Sequence, residues 1–450
     1  MLRARRDVTA SNAQALGRLP WLAAFPLRER RLRPRLLIAG SPRVAARAHR
    51  AHAGDVAPSS HIRRTRRAAP GRGAGALKCR GPAPDTSGVT SQPQSVIPFL
   101  HALASTGGSD LHCKVGSVPR VRVDGRLRKL QAPELRPADT EHMLEEVLPD
   151  DLVEAFRVSK EADFAYSLSG VGRFRVNAYQ ARGTFGMVFR RVAVGAQSLA
   201  ELGVPEVVGE LALEPRGLVL VTGPTGSGKT TTLASMVDLI NSYREVNIVT
   251  IEDPIEILHS DKKAIVSQRE VHQDTDDFTV ALRAAMRQDP DVILVGEMRD
   301  VETVRAALSA AETGHLVLST LHTIDVAESI NRIVDFFPPH EQKQVRIALA
   351  QSLRGIVSQR LVRKADGSGR QAAIEVMVNT GRTAEAIIEP QENPPLTDLI
   401  KEGDFYKMQT FDQHLFALVR DAAVTYEEAL SVASNPHDLT VELRGAGIVM

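Results

Sequence analysis

Two cysteines, Cys79 and Cys113, stand in 450 residues, in regions of different character and with no motif around them. That excludes a cysteine zinc site, because four ligands cannot be assembled from two cysteines and an unmotivated histidine pair. A reducing compartment fits best. No apolar run approaches the roughly 18 to 20 residues needed to span a bilayer, so any membrane contact is expected to be peripheral. Net charge is also scarce at +2, but it is unevenly placed: residues 1–90 hold 18 Arg and one Lys against four acids, and the remainder holds 37 basic and 50 acidic residues. The folded part, at −13, has the wrong sign for gripping nucleic-acid phosphates, and no specific nucleic-acid partner is expected.

Residues 1–93 are rich in Arg, Ala, Pro and Gly, with short apolar patches too brief for a domain, and are expected to be a largely disordered extension. Three readings stay open: a solvated tail that touches anionic lipid or nucleic acid, an upstream extension without a function of its own, or an organelle transit peptide. From 94 to 198 the pattern becomes globular. A short helix precedes Arg120 to Leu127, a hairpin signal with Asp124-Gly125 at the turn. Another helix covers Thr140 to Leu148, and strands follow at 162–167, 173–179 and 186–191, making a small α+β domain. A linker, 199–215, leads to alternating strands and helices from 216, which predict a mostly parallel sheet covered on both faces. A long helix is expected over Glu341 to Val362, and 363–450 is expected to be mostly helical, with Glu375 to Val378 its one strand.

The core is organised around Gly223-Pro224-Thr225-Gly226-Ser227-Gly228-Lys229-Thr230, a full match to G-x-x-x-x-G-K-[ST]. Gly217 to Thr222 before it has the composition of a buried parallel strand, and Thr230 to Tyr243 after it has one apolar helical face. Strand, glycine loop and helix N-terminus together make a nest of N–H groups for a phosphate. Residues 223–230 with Thr231 are the expected ATP contacts, Lys229 reaching the β- and γ-phosphates and the Thr230 hydroxyl holding Mg²⁺. Phosphoryl transfer also needs acids, and two strand ends supply them, in a sheet whose ligand lies beyond the carboxyl ends. Glu256 is assigned as the base or water-orienting residue, Glu297 to the Mg²⁺ shell, and Glu252 and Asp253 to support. Glu297 departs from the usual Asp at the end of the metal strand. His315 and His322 bracket the next strand, where a neutral imidazole could sense the γ-phosphate. Helix and interface ion pairs account for Arg283, Arg287 and Arg299, which are left out of the site.

The blocks Thr250 to Glu256, Gln268-Arg269-Glu270-Val271-His272, Gly296-Glu297-Met298-Arg299-Asp300, and Ala311 to His315 with Thr320 to Thr323 resemble the type IV pilus retraction ATPases, the PilT/PilU family of secretion and pilus motors. The similarity runs from about residue 94 to 447. It implies a RecA-like P-loop core behind a small N-terminal α+β (PAS-like) domain, a helical C-terminal appendix, and a hexameric Mg-ATPase ring that drives pilus retraction and twitching motility. Further implications are a cytoplasmic place beside the inner membrane, a platform protein there as partner, and room for a paralogous motor ATPase. The resemblance adds Arg175 and Arg190, small-domain arginines that complete the nucleotide site; their planar guanidinium groups can grip phosphate charge bidentately. The family signature A-I-R-N-L-I is met by Thr383 to Ile388 with Glu385 in place of the arginine, which leaves room for an accessory retraction motor.

Extension and type II secretion motors typically add a long folded N-terminal region and a four-cysteine zinc insert, and this chain has neither. An ATP-binding ring subunit with little turnover is the rival from another class, against which Lys229, Glu256, Glu297, Arg175 and Arg190 all argue.

Overall fold

The structure, a computed structural model, describes residues 92–449; the extension expected over 1–93, with Cys79, lies almost wholly outside them. No helix among the described residues is long and apolar enough to cross a membrane.

The first layer is built from α1 (Ile97–Ser105), β1 (Asp110–Lys114), β2 (Arg120–Val123), β3 (Arg126–Lys129), α2 (Pro137–Val147), α3 (Val153–Ser159), β4 (Glu161–Leu168), β5 (Gly172–Ala181) and β6 (Thr184–Arg191). The strands form an antiparallel sheet in the order β3-β2-β1-β6-β5-β4. Asp124 and Gly125 at the β2–β3 turn both take positive φ, 50° and 75°, the twist that a two-residue hairpin needs. One face packs Leu111, Phe174, Val176 and Phe189 against Leu100 and Met143 of the helices. Cys113 is buried in this core, and burial pushes its thiol up to about 12, so it behaves as a small apolar residue. The opposite face carries charged side chains.

After β7 (Ala193–Val194) and α4 (Glu206–Ala212) comes the core: β8 (Gly217–Thr222), α5 (Lys229–Tyr243), β9 (Asn247–Glu252), β10 (Ile257–Leu258), β11 (Ile265–Glu270), α6 (Phe278–Ala285), β12 (Val292–Val295), α7 (Val301–Glu312), β13 (Leu316–Leu321), α8 (Val326–Asp335), α9 (Pro339–Ser352), β14 (Leu353–Arg363) and β15 (Arg370–Val378). The sheet order is β11-β9-β12-β13-β8-β14-β15, parallel throughout except for the β14–β15 pair. β8 thus lies between β13 and β14, a RecA-like arrangement. Leu218 and Leu220 join one buried cluster and Val219 and Val221 the other. Both faces are therefore covered, and each such side chain contributes about 1.5–3 kcal/mol of burial.

The long helix expected over 341–362 is corrected. It ends at Ser352, and Leu353 turns extended to open a strand of eleven residues. The nearest glycine, Gly355, falls inside the new strand at a register shift. What decides it is the vacant edge of β8, against which Leu353 to Ser358 pair in parallel while Ile356 and Val357 bury on opposite faces. The strand expected over Glu375 to Val378 starts earlier, at Arg370, and belongs to the core sheet rather than to a helical appendix. Beyond it lie α10 (Gly381–Ile388), α11 (Leu396–Lys401), α12 (Phe411–Arg420), α13 (Tyr426–Val432) and α14 (Pro436–Gly445). The last three pack on Val362 and Ala373.

β15 brings one acid into the interior. Glu375 accepts the Val326 amide at 2.9 Å and sits near Arg360, whose guanidinium lies 3.9 Å over the Phe411 ring. Burial lifts its carboxyl to about 7, against the pull of the Val326 amide and Arg360, and Asp325 and Asp412 add to the rise. The folded chain therefore keeps a proton that the unfolded chain has lost above its ordinary value of 4.5, so this group's stabilisation fades as pH rises through about 4.5 to 7. Urea unfolding is expected to show Glu375→Gln gaining on wild type as pH rises from about 5 to about 7.5; a difference that stays constant over that range counts against a protonated Glu375.

Candidate nucleotide site

The carboxyl ends of the parallel strands open on a cavity of about 830 Å³, within the range of small-ligand sites. Thr225, Gly226, Gly228, Lys229, Thr230 and Thr231 line it from one side, and Glu252, Asp253, Glu256 and Glu297 from the other. The loop backbone is what the glycines permit: φ is +143° at Gly223, +80° at Gly226 and +93° at Gly228. A Cβ on Gly223 would meet the Gln359 carbonyl at 2.4 Å and Ser227 Oγ at 2.6 Å. Ser227 Oγ of the loop and Gln359 Oε1 of β14 beside it are buried without a partner, polar atoms left for a ligand. Lys229 is buried, and its Nζ donates to the carbonyls of Gly223 at 2.8 Å and Pro224 at 3.2 Å. Burial draws its amine below the usual lysine range, while Glu297 pulls it back up.

Glu297 follows β12, and its end is fixed by the next strand: Ser319 Oγ donates to the Val295 carbonyl and Thr320 Oγ1 to that of Gly296. Both Glu297 oxygens are engaged, Oε2 by Arg299 Nη2 at 2.8 Å and Oε1 by His322 Nε2 at 3.3 Å. The other imidazole nitrogen of His322 lies 3.4 Å from Thr225 Oγ1, so His322 spans from the glycine loop to the carboxylate. Glu252 accepts from Thr250 Oγ1 at 2.6 Å and Gln268 Nε2 at 3.0 Å. Burial raises its carboxyl in spite of those two bonds, and the nearby Glu256 and Glu270 add to the rise. Glu256 is exposed toward the cavity.

Of the expected loop residues, Gly223, Pro224 and Ser227 do not themselves line the cavity, and three further expected residues lie elsewhere in the fold. His315 stands at the amino end of β13, its Nδ1 2.9 Å from the Ala310 carbonyl near the end of α7. The six residues of β13 lie between it and His322, about 23 Å at strand rise, so of the two only His322 reaches the cavity. Arg175 and Arg190 face each other in register across β5 and β6, exposed on the outer face of the small sheet. Neither lines the cavity of its own chain, and Arg190 Nε donates to Asp110 Oδ1 at 2.9 Å. The site also holds residues not expected in it. Arg299 lines the cavity and bridges Glu297 to Asp253, 3.8 Å away; its place two residues after Glu297 was the available signal. Gln359 and Leu361 also line the cavity and were hidden by reading their strand as helix.

A family model described as type II/IV secretion system protein matches residues 96–398. The type IV pilus retraction ATPase PilT of Pseudomonas aeruginosa is 45% identical over 343 residues, 76% of this chain and 99% of that protein. The chain belongs to the type II/IV secretion ATPases, in the PilT/PilU branch. As such it is a pilus retraction ATPase. The type IV pilus ATPase PilU of the same organism is 42% identical, over 77% of this chain and 90% of that protein. A crystal structure of the pilus retraction motor PilT with bound ADP superposes with a TM-score of 0.69 at 42% identity, covering 77% of this chain and 99% of that one.

Because the Gly223 Cα is packed against the Gln359 carbonyl and takes a positive φ, Gly223→Ala is expected to deform the loop. Titration with a fluorescent ADP analogue should show affinity at least about tenfold weaker, roughly 1.4 kcal/mol. Unchanged affinity would mean that the loop tolerates a shift without loss of its nest.

Proposed function

We propose that residues 223–231 cradle the phosphates of ATP, that Glu256 orients the attacking water, and that the chain works as a subunit of a homohexameric ring. The observation that carries the reading is the meeting of the glycine loop, Lys229, Glu256 and Glu297 around one cavity. Lys229, freed from the two loop carbonyls it now caps, would place its charge against the β- and γ-phosphates. Phosphoryl transfer is largely positioning and charge neutralisation, and these residues supply both.

Mg²⁺ would be held by the Thr230 hydroxyl, with Glu297 acting through water, since both its oxygens are already engaged. Among the described residues no cluster of three His, Cys, Asp or Glu side chains could cage a metal. That suits a hard cation that keeps waters and takes its other ligands from phosphate oxygens; bound there, it would neutralise the developing charge.

The outward placement of Arg175 and Arg190 leaves the cavity of their own chain without them, so in this reading they complete the site of an adjoining subunit. His322, between Thr225 and Glu297, is placed to register loss of the γ-phosphate. The working parts would be a small lobe (94–198), a linker (199–215), and a core that starts at 216 and takes in β15. The ring would act in the cytoplasm at the inner membrane, on a platform protein of the pilus, beside a paralogous motor where one is present. Glu385, on the exposed face of α10, is the residue that would set an accessory retraction role apart.

Phosphate release from wild type against Glu256→Gln tests the reading. A drop in kcat of about 100-fold or more is expected for loss of a general base, with nucleotide affinity kept. Equal, near-zero rates for both would leave a binding subunit. Disruption of the gene is expected to give hyperpiliated, non-twitching cells, whereas bald cells would indicate extension.

A further inference from the structure

Glu256 lies between two contacts that reach back to the small domain. On its amino side, Arg173 of β5 donates from Nη2 to Glu270 Oε2 at the end of β11, at 3.0 Å. The pair is shielded, with side-chain exposures of 20% and 7%. The same Oε2 accepts the amide of Ile255 at 3.3 Å, and Ile255 is the buried residue directly before Glu256. On its carboxyl side, β10 pairs with β7, the segment that leaves the small domain, and Gly195 N donates to the Leu258 carbonyl at 2.8 Å. The Arg173 carbonyl also belongs to the joint, accepting the Val192 amide at 2.9 Å. Neither Arg173 nor Glu270 lines the cavity, so neither touches the nucleotide site itself.

We propose that Arg173 and Glu270 are positioning residues for Glu256, a joint through which the stance of the small domain sets the place of the water-orienting carboxylate. The inference rests on the assignment of Glu256 above. One carboxylate oxygen serves both a guanidinium from the lobe and a backbone amide of the catalytic turn. A shift of β5 therefore withdraws the charge that holds that oxygen, and the amide beside Glu256 loses its fixed acceptor. The β7–β10 pairing carries the same displacement to the other side of the turn. A shielded pair broken on one side leaves an uncompensated charge at buried Glu270, which penalises withdrawal of the lobe from the joint. A misplacement near 1 Å of a reacting group can cost up to about 100-fold in rate.

The test compares full-length wild type with Arg173→Gln, Arg173→Lys, Glu270→Gln and Glu256→Gln, reading phosphate release and the affinity of a fluorescent ADP analogue for each. Arg173→Gln and Glu270→Gln are expected to lower kcat by about 10- to 100-fold while KM for ATP and ADP affinity stay within about twofold. A variant combining Arg173→Gln with Glu270→Gln should be no worse than either single one, because both cut the same link, and Arg173→Lys, which keeps the charge, should recover part of the rate. Wild-type kcat in Arg173→Gln would overturn the proposal, for Glu270 would then only prop the local turn. So would a parallel fall in kcat and ADP affinity, the mark of general damage. An inactive Glu256→Gln beside a fully active Arg173→Gln sinks the joint alone, whereas a fully active Glu256→Gln sinks the assignment of Glu256 and the joint with it.

Discussion

A parallel strand buried on both faces can place a polar side chain only at its end. In this chain the interior of β8 is Leu218 to Val221, all fully buried, β12 is as apolar, and β13 is apolar as far as Leu318, with Ser319 and Thr320 toward its carboxyl end. The chemically active groups therefore gather at the carboxyl rims: Thr222 before the glycine loop, Glu252 at the end of β9, Glu297 after β12, His322 after β13. The sheet order then places β8 between β13 and β14, so the loop after β8 opens toward the histidine after β13 and, beyond it, the acids at the ends of β12 and β9. The cavity is a consequence of that crowding.

The same packing ties the site together across elements. Glu297 is held by Arg299 and approached by His322, and His322 reaches on to Thr225, so a carboxylate, an imidazole and the glycine loop lie in one chain of polar contacts. Hydroxyls of β13 lock the carbonyls of Val295 and Gly296 and fix the backbone from which Glu297 projects. The groups at the phosphate end of the cavity thus come from the ends of three strands.

The small domain stands in a different relation to the chemistry. Its apolar face is consumed by its own helices, which turns the charged face outward and puts Arg175 and Arg190 on a surface rather than over their own cavity. Arg173, two residues from Arg175 and on the same strand, turns instead to Glu270. Neighbouring arginines thus divide between an outward surface and an internal joint, a division set by which sheet edge each one stands over.

The eight residues from Gly223 to Thr230 determine their own backbone, because glycine at positive φ and a strand feeding a helix are local facts, and the apolar strands on either side announce themselves by composition. Glu256 and Glu297 could be placed at the site for the same reason, as polar ends of buried runs. What the chain order could not carry was partnership across space. The switch from helix to strand at Leu353 depends on an open edge of β8, and the separation of His315 from His322 depends on which rim of the sheet each one meets. Arg299 enters the cavity because Glu297 and Asp253 are both there to receive it. Glu270 serves Ile255 and Arg173 together because β5 and β9 are brought to the same corner. Hydrogen bonds and ion pairs of this kind join residues far apart in sequence, and only the packed sheet and its neighbouring lobe decide which of them form.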